Sequence, residues 1–179
     1  MKFLVAVLGL FLVMMIASCG GGPPGWYGDP PNDPDHLYEA TSARSQDRQM
    51  AVDKARHAAE QGIARQLEVK VEGLTERFRD ETGEAEESEY LELFKSTGKT
   101  VVSTTLRGTR VDKQHVIEKD GTYEAYLLME LSWGEAQADM LEKIRENKRL
   151  YTRFQATKAF DELEKEVAEY EEYKKERGY

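Results

Sequence analysis

Cysteine, histidine and proline are all scarce, and each scarcity narrows what the chain can be. Cys19 is the only cysteine among 179 residues. No disulfide can form within the chain, and a four-thiolate zinc site is excluded. Histidine occurs three times, as His36, His57 and His115, far apart in sequence and without a ligand spacing. All five prolines lie between Pro23 and Pro34, so nothing after them breaks a helix through a missing amide. Basic residues are in deficit, 25 against 34 acidic, for a formal charge of −9. That balance argues against nucleic acid and anionic lipid headgroups as partners, because both select positive surface. No Gly-x-Ser-x-Gly, phosphate loop or His-Glu-x-x-His occurs. The acidic cluster Glu84, Glu86, Glu87 and Glu89 contains enough carboxylates for glycoside cleavage, yet a solvated loop explains it more simply. The chain is therefore expected to be no enzyme and to use no cofactor or metal. Asp29, Asp33 and Asp35 lack the spacing of a calcium loop and read as turns beside proline.

Long apolar runs are also few. The longest, Phe3–Ala17, is fifteen residues, whereas a membrane span needs roughly twenty. It follows Lys2 and ends in small residues, the pattern of a secretory signal, with a retained signal anchor as the alternative. Ile16-Ala17-Ser18-Cys19 resembles the lipobox of bacterial lipoproteins. That resemblance implies cleavage between Ser18 and Cys19, a diacylglycerol on the Cys19 thiol and an acyl chain on its new amine. Three chains exceed the two signals that stable anchoring needs. Without residues 1–18 the chain keeps 24 basic and 34 acidic residues, a net of −10. Gly20 stands where lipoproteins retained at the inner membrane typically carry aspartate. By resemblance the protein is expected in the outer membrane, and the periplasmic side is the expected face.

Residues 19–35 form a lipidated tether rich in proline and glycine. Fully extended, its sixteen residues after Cys19 reach at most about 55 Å. Trp26 and Tyr27 are unusual in a tether, and are expected to tuck against the domain rather than enter lipid. His36–Ala43 reads as a strand. Ser45 is the expected cap of a helix running to about Leu67, with Ala51, Ala55, Ala58, Ala59, Gly62 and Ile63 on its apolar face. His57 and Glu60 fall on its solvated flank. Leu67–Glu72 alternates apolar and charged residues and reads as a strand. A turn at Thr82–Glu84 precedes a helix over about Glu86–Ser103, whose apolar positions are Tyr90, Phe94, Thr97 and Val101.

Arg107–Glu118 and Thr122–Trp133 flank a hairpin turn at Glu118-Lys119-Asp120-Gly121. A type I turn with a bulge at Gly121 is favoured over a two-residue Asp-Gly turn. It sets Ile117 opposite Tyr123 and Val111 opposite Met129. Tyr123, Ala125, Leu127, Met129 and Leu131 then share the core face, and Trp133 packs at the strand end. Gly134–Gly178 reads as one polar helix about 65 Å long. It carries two apolar stripes out of phase with each other. Met140, Leu141, Ile144 and Tyr151 form the first, and Ala156, Phe160, Leu163, Val167 and Tyr170 the second. The first packs on the domain. The second projects and either pairs with another chain or folds back. Phe160, Leu163, Val167 and Tyr170 are the candidate self-association residues.

Four stretches, in order, resemble the Lpp-twenty family of outer-membrane lipoproteins, whose relatives include a flagellar lipoprotein. They are the lipobox, Pro24-Gly25-Trp26, the strand and alanine-rich helix His36–Leu67, and the hairpin ending Tyr126-Leu127-Leu128-Met129. Where the family often has a glycine after its first strand, this chain has Glu39-Ala40-Thr41-Ser42. The resemblance implies an α+β domain over 36–133, a helix across an antiparallel sheet, with 134–179 as an individual extension. It also implies a structural role in an envelope or flagellar assembly, with protein partners and self-association. The alternative is a regulatory module that binds a cell-wall synthesis enzyme.

Overall fold

The computed structural model describes residues 22–178. Ser18, Cys19 and the whole signal segment lie outside that range. In chain order come a single turn of helix α1 (Gly25–Gly28), strand β1 (His36–Ser45) and a long helix α2 (Arg48–Thr82). Helix α3 (Glu89–Thr105), a 3-10 turn (Leu106–Gly108) and the strands β2 (Arg110–Lys119) and β3 (Thr122–Ser132) follow. Three helices end the chain, α4 (Trp133–Glu146), α5 (Lys148–Phe154) and α6 (Lys158–Arg177). The class is α+β, as expected, with helices packed on a small antiparallel sheet.

The sheet has the order β1-β3-β2, both pairings antiparallel. Its hairpin turn differs from the expectation. Lys119 pairs directly with Thr122, and Asp120 and Gly121 both have positive φ, 52° and 70°. This is the two-residue type I′ turn, whose twist matches that of the strands. Ile117 therefore faces Glu124 rather than Tyr123. The extra residue sits further along, as a bulge at Asp112, which restores the expected pairing of Val111 with Met129. Ala125, Leu127, Met129 and Leu131 face the core as anticipated.

Helix α2 is the larger correction. Asp47, not Ser45, caps it, accepting from the Met50 amide at 2.8 Å, and it continues through residues 67–72 to Thr82. The local alternation there loses to a longer pattern. Ile63, Leu67, Val71, Leu74 and Phe78 are buried at spacings of 4, 4, 3 and 4. Val69, the middle residue of the supposed strand, is left 67% exposed. At 35 residues α2 is about 52 Å long. Its first half lies on the sheet through Ala51, Ala55, Ala59 and Ile63. Its second half supports a bundle of α3 to α6.

The expected single C-terminal helix is broken twice. Asn147 ends α4 and its Oδ1 accepts the Arg149 and Leu150 amides, starting α5 in a new direction. Thr157 caps α6 by accepting the Phe160 amide. The Glu81 carboxylate, at the end of α2, accepts the Lys158 and Ala159 amides at 2.6 and 3.3 Å. A carboxylate at a helix N-terminus also complements the helix dipole. The restart at Asn147 changes the buried face, so that Leu150 and Phe154 turn inward and Tyr151 is exposed. Phe78 and Phe94 stack at 4.6 Å, with Phe154 edge-on to both.

Candidate functional site

Two features remain once the core is accounted for, a docked tether and a polar cleft. The tether does not leave the domain at His36. The α1 turn lies on the sheet face opposite α2, where Ser42 and Tyr126 project as a cross-strand pair. The Tyr27 hydroxyl is 3.2 Å from Ser42 Oγ, and its ring meets Tyr126 edge-on at 5.0 Å. Trp26 is half-buried. Tucking of these aromatics is thus observed. Residues 29–35 then run back to the start of β1. Asp33 turns the chain by accepting the Asp35 amide, and the Asp35 carbonyl accepts the Trp133 amide at 2.7 Å. Ordinary turn chemistry accounts for Asp33, and among the described residues no His, Cys, Asp or Glu group is arranged to hold a metal.

The cleft, about 240 Å³, lies where the tether end, the sheet edge and the end of α6 meet. Glu130 is its most enclosed charge, 8% exposed, and pairs with Arg110 across the β2–β3 ladder. Burial, and then the charges of Glu130, Asp33 and Asp112, push the neighbouring Tyr38 phenol above its ordinary pKa. His36 Nδ1 is enclosed without a hydrogen bond, 3.4 Å from an Asp33 oxygen. Ser132 caps α4 through the Glu135 amide and lies 2.9 Å from the Tyr170 hydroxyl. Its oxygen is thereby engaged in holding α6 to the strand end. Burial raises the Tyr170 pKa. Sequence reasoning placed Glu130 off the core face but missed the cleft. A lone acid inside the run Leu127–Leu131 was the available signal; its partner depended on the hairpin register.

The other candidates are dispersed. Phe160, Leu163 and Tyr170 are 3%, 1% and 4% exposed, and Val167 is half-buried against the core. They do not project; α6 folds back, and these residues pack within their own chain, while Ala156 of the same stripe stays exposed. Phe160 sits edge-on to Phe154 at 5.5 Å. The acidic cluster is a largely solvated turn and helix start, as expected, and three of its carboxylates pair with cations at the edge of the bundle. Glu84 pairs with Arg153 at 2.6 Å, Glu86 with Lys95 and Arg79, and Glu89 with Arg149 through both oxygens. The Ser88 and Arg153 hydrogen bonds hold the Glu84 pKa low. Lys95 and Arg79 do the same for Glu86, and Arg149 for Glu89. His57 and Glu60 are solvated, 3.9 Å apart. Trp133 is packed at the strand end under the Lys70 ammonium, 4.7 Å from the ring centre.

Among the described residues no helix is long and apolar enough to cross a membrane. Comparison with known proteins found no matching family model, no matching curated protein and no matching solved structure.

Proposed function

We propose that the protein is a lipid-anchored component of the outer membrane, held through Cys19, that serves an envelope assembly as a structural part and not as a catalyst. The reading rests on the lipobox Ile16–Cys19 and on the four stretches that resemble Lpp-twenty lipoproteins. The observation that favours it most is the docked tether. Tyr27 is bound to Ser42 and Tyr126, so the segment beside the anchor is part of the folded body. Such a strap suits a part fixed in place better than one that reaches across the periplasm. Self-contacts, if the assembly uses them, fall on surfaces other than the α6 stripe.

A regulatory module acting on a cell-wall synthesis enzyme is the second reading. It is favoured by the burial of Phe160, Leu163 and Tyr170, which removes the self-complementary patch first expected. Cross-linking in intact cells, with recovery through a C-terminal tag and mass spectrometry, separates the two. The structural reading expects several envelope or flagellar proteins, or the protein itself, among the products. Links to one cell-wall synthesis enzyme alone support the regulator, and recovery without any envelope protein contradicts both.

A further inference from the structure

We infer that the sheet face bearing Tyr126, Lys113 and the α1 turn is held against the surface of the lipid bilayer, with α2 on the side away from it. This orientation rests on the lipid-anchored reading above and adds a direction to it. The argument is one of chain length. Gly20 to Pro24 are the only residues between Cys19 and α1. Six residue steps, fully extended, span at most about 22 Å. They start from a turn fixed on one face of the sheet by Tyr27. The opposite face is covered by α2, through Ala51, Ala55, Ala59 and Ile63. Measured from α1, on the other side of the sheet, the outer side of α2 lies two layer separations plus half a helix diameter off, about 25 Å in all. An anchor near the bilayer surface therefore keeps the α1 face close to lipid, and a tether this short leaves little length for turning the domain over.

The surface chemistry of that face fits a lipid surface approached by constraint rather than by charge. Three of its cations have acidic neighbours. Arg44 meets Glu124 at 3.0 Å, Lys113 meets Asp112 at 3.7 Å, and Arg110 pairs with Glu130. The expected lipid is accordingly zwitterionic, and anionic headgroups are not required.

The test uses the acylated protein in phosphatidylcholine vesicles. Acylation blocks the Cys19 thiol, so a new cysteine can be labelled alone. Lys113→Cys places a fluorophore on the α1 face. His57→Cys places it on α2 opposite the alanine stripe, at a side chain 72% exposed. A nitroxide-headgroup lipid should quench the label at 113 several-fold more than the label at 57. A twenty-residue Gly/Ser insertion between Gly22 and Pro23 should bring the two values together. Equal quenching in acylated protein without the insertion overturns the orientation. So does a label at 113 that lipid does not quench but that is shielded from aqueous iodide, since a protein or a second copy would then cover the face. An N-terminal peptide whose mass carries no acyl chains overturns the anchored reading itself, and is told apart from the other outcomes by that mass.

Discussion

The two halves of α2 pack by opposite rules. From Ala51 to Ile63 the helix lies on the sheet through small residues. The Thr41 hydroxyl donates to the Ala55 carbonyl at 2.7 Å, and Gln66 donates to the Tyr38 carbonyl and to Glu39. Gly62 faces Glu39 so closely that a Cβ would come within 2.2 Å of the carboxyl carbon. From Leu67 to Phe78 the same helix fills space with large residues, and Phe78 meets Phe94 of α3 and Phe154 of α5. One half is specified by the absence of side chain and the other by its volume. Truncation should therefore damage the bundle, and enlargement should damage the sheet contact.

The largest expected effect is truncation in the bundle. Phe78 is fully buried and stacked on Phe94, so Phe78→Ala should lower stability by about 3–5 kcal/mol in urea unfolding. A loss below 1 kcal/mol would show that this half tolerates voids and would erase the contrast. Enlargement on the sheet side comes next. Gly62→Ala should cost about 1–3 kcal/mol, because Glu39 must leave Gln66 to make room. Glu39→Ala in the same chain should return much of that loss; no rescue would place the strain elsewhere. Third are the caps that redirect the chain. Asn147→Ala and Thr157→Ala should each cost about 1 kcal/mol, with hydrogen exchange rising first in α5 and α6 respectively.

The smallest effect is electrostatic and belongs to the bundle side alone. Glu84, Glu86 and Glu89 have pKa values below the ordinary 4.5, so in acid the unfolded chain binds more protons than the folded one. Their contribution is fully present above that ordinary value and is lost as pH falls through the lower, folded values. The urea midpoint should decline below about pH 4.5. The triple change to glutamine should flatten that decline while lowering the midpoint at pH 7. An unchanged acid profile in the triple variant would remove these pairs from the account.

The sheet and the class of fold were legible because alternation in β3 and the alanine face of α2 are each set by local periodicity. The helix through 67–72 was hidden by six residues whose alternation, Leu67, Val69 and Val71, is that of a strand, although Leu67 and Val71 by themselves also share a helix face. Only the wider spacing out to Phe78 decides it. The breaks at Asn147 and Thr157 lay behind the absence of proline and glycine. A side-chain cap redirects a helix without either, and the two stripes out of phase were the trace it left. The docking of Tyr27 was legible as an aromatic out of place. Its partners were not, because Ser42 and Tyr126 become neighbours only through the β1–β3 register. The cleft around Glu130 is non-local in the same way.

The most direct measurement is the distance between α2 and α6 in solution. Arg77 and Glu162 are joined at 3.0 Å although 85 residues separate them. Nitroxides at these two positions, with Cys19 replaced by serine, would report it by pulsed electron spin resonance. A folded-back C-terminus predicts a single short separation, that of neighbouring helices about 10 Å apart plus the label arms. A broad distribution at several times that distance would mean that α6 projects, and that Phe160, Leu163, Val167 and Tyr170 are free for another chain after all.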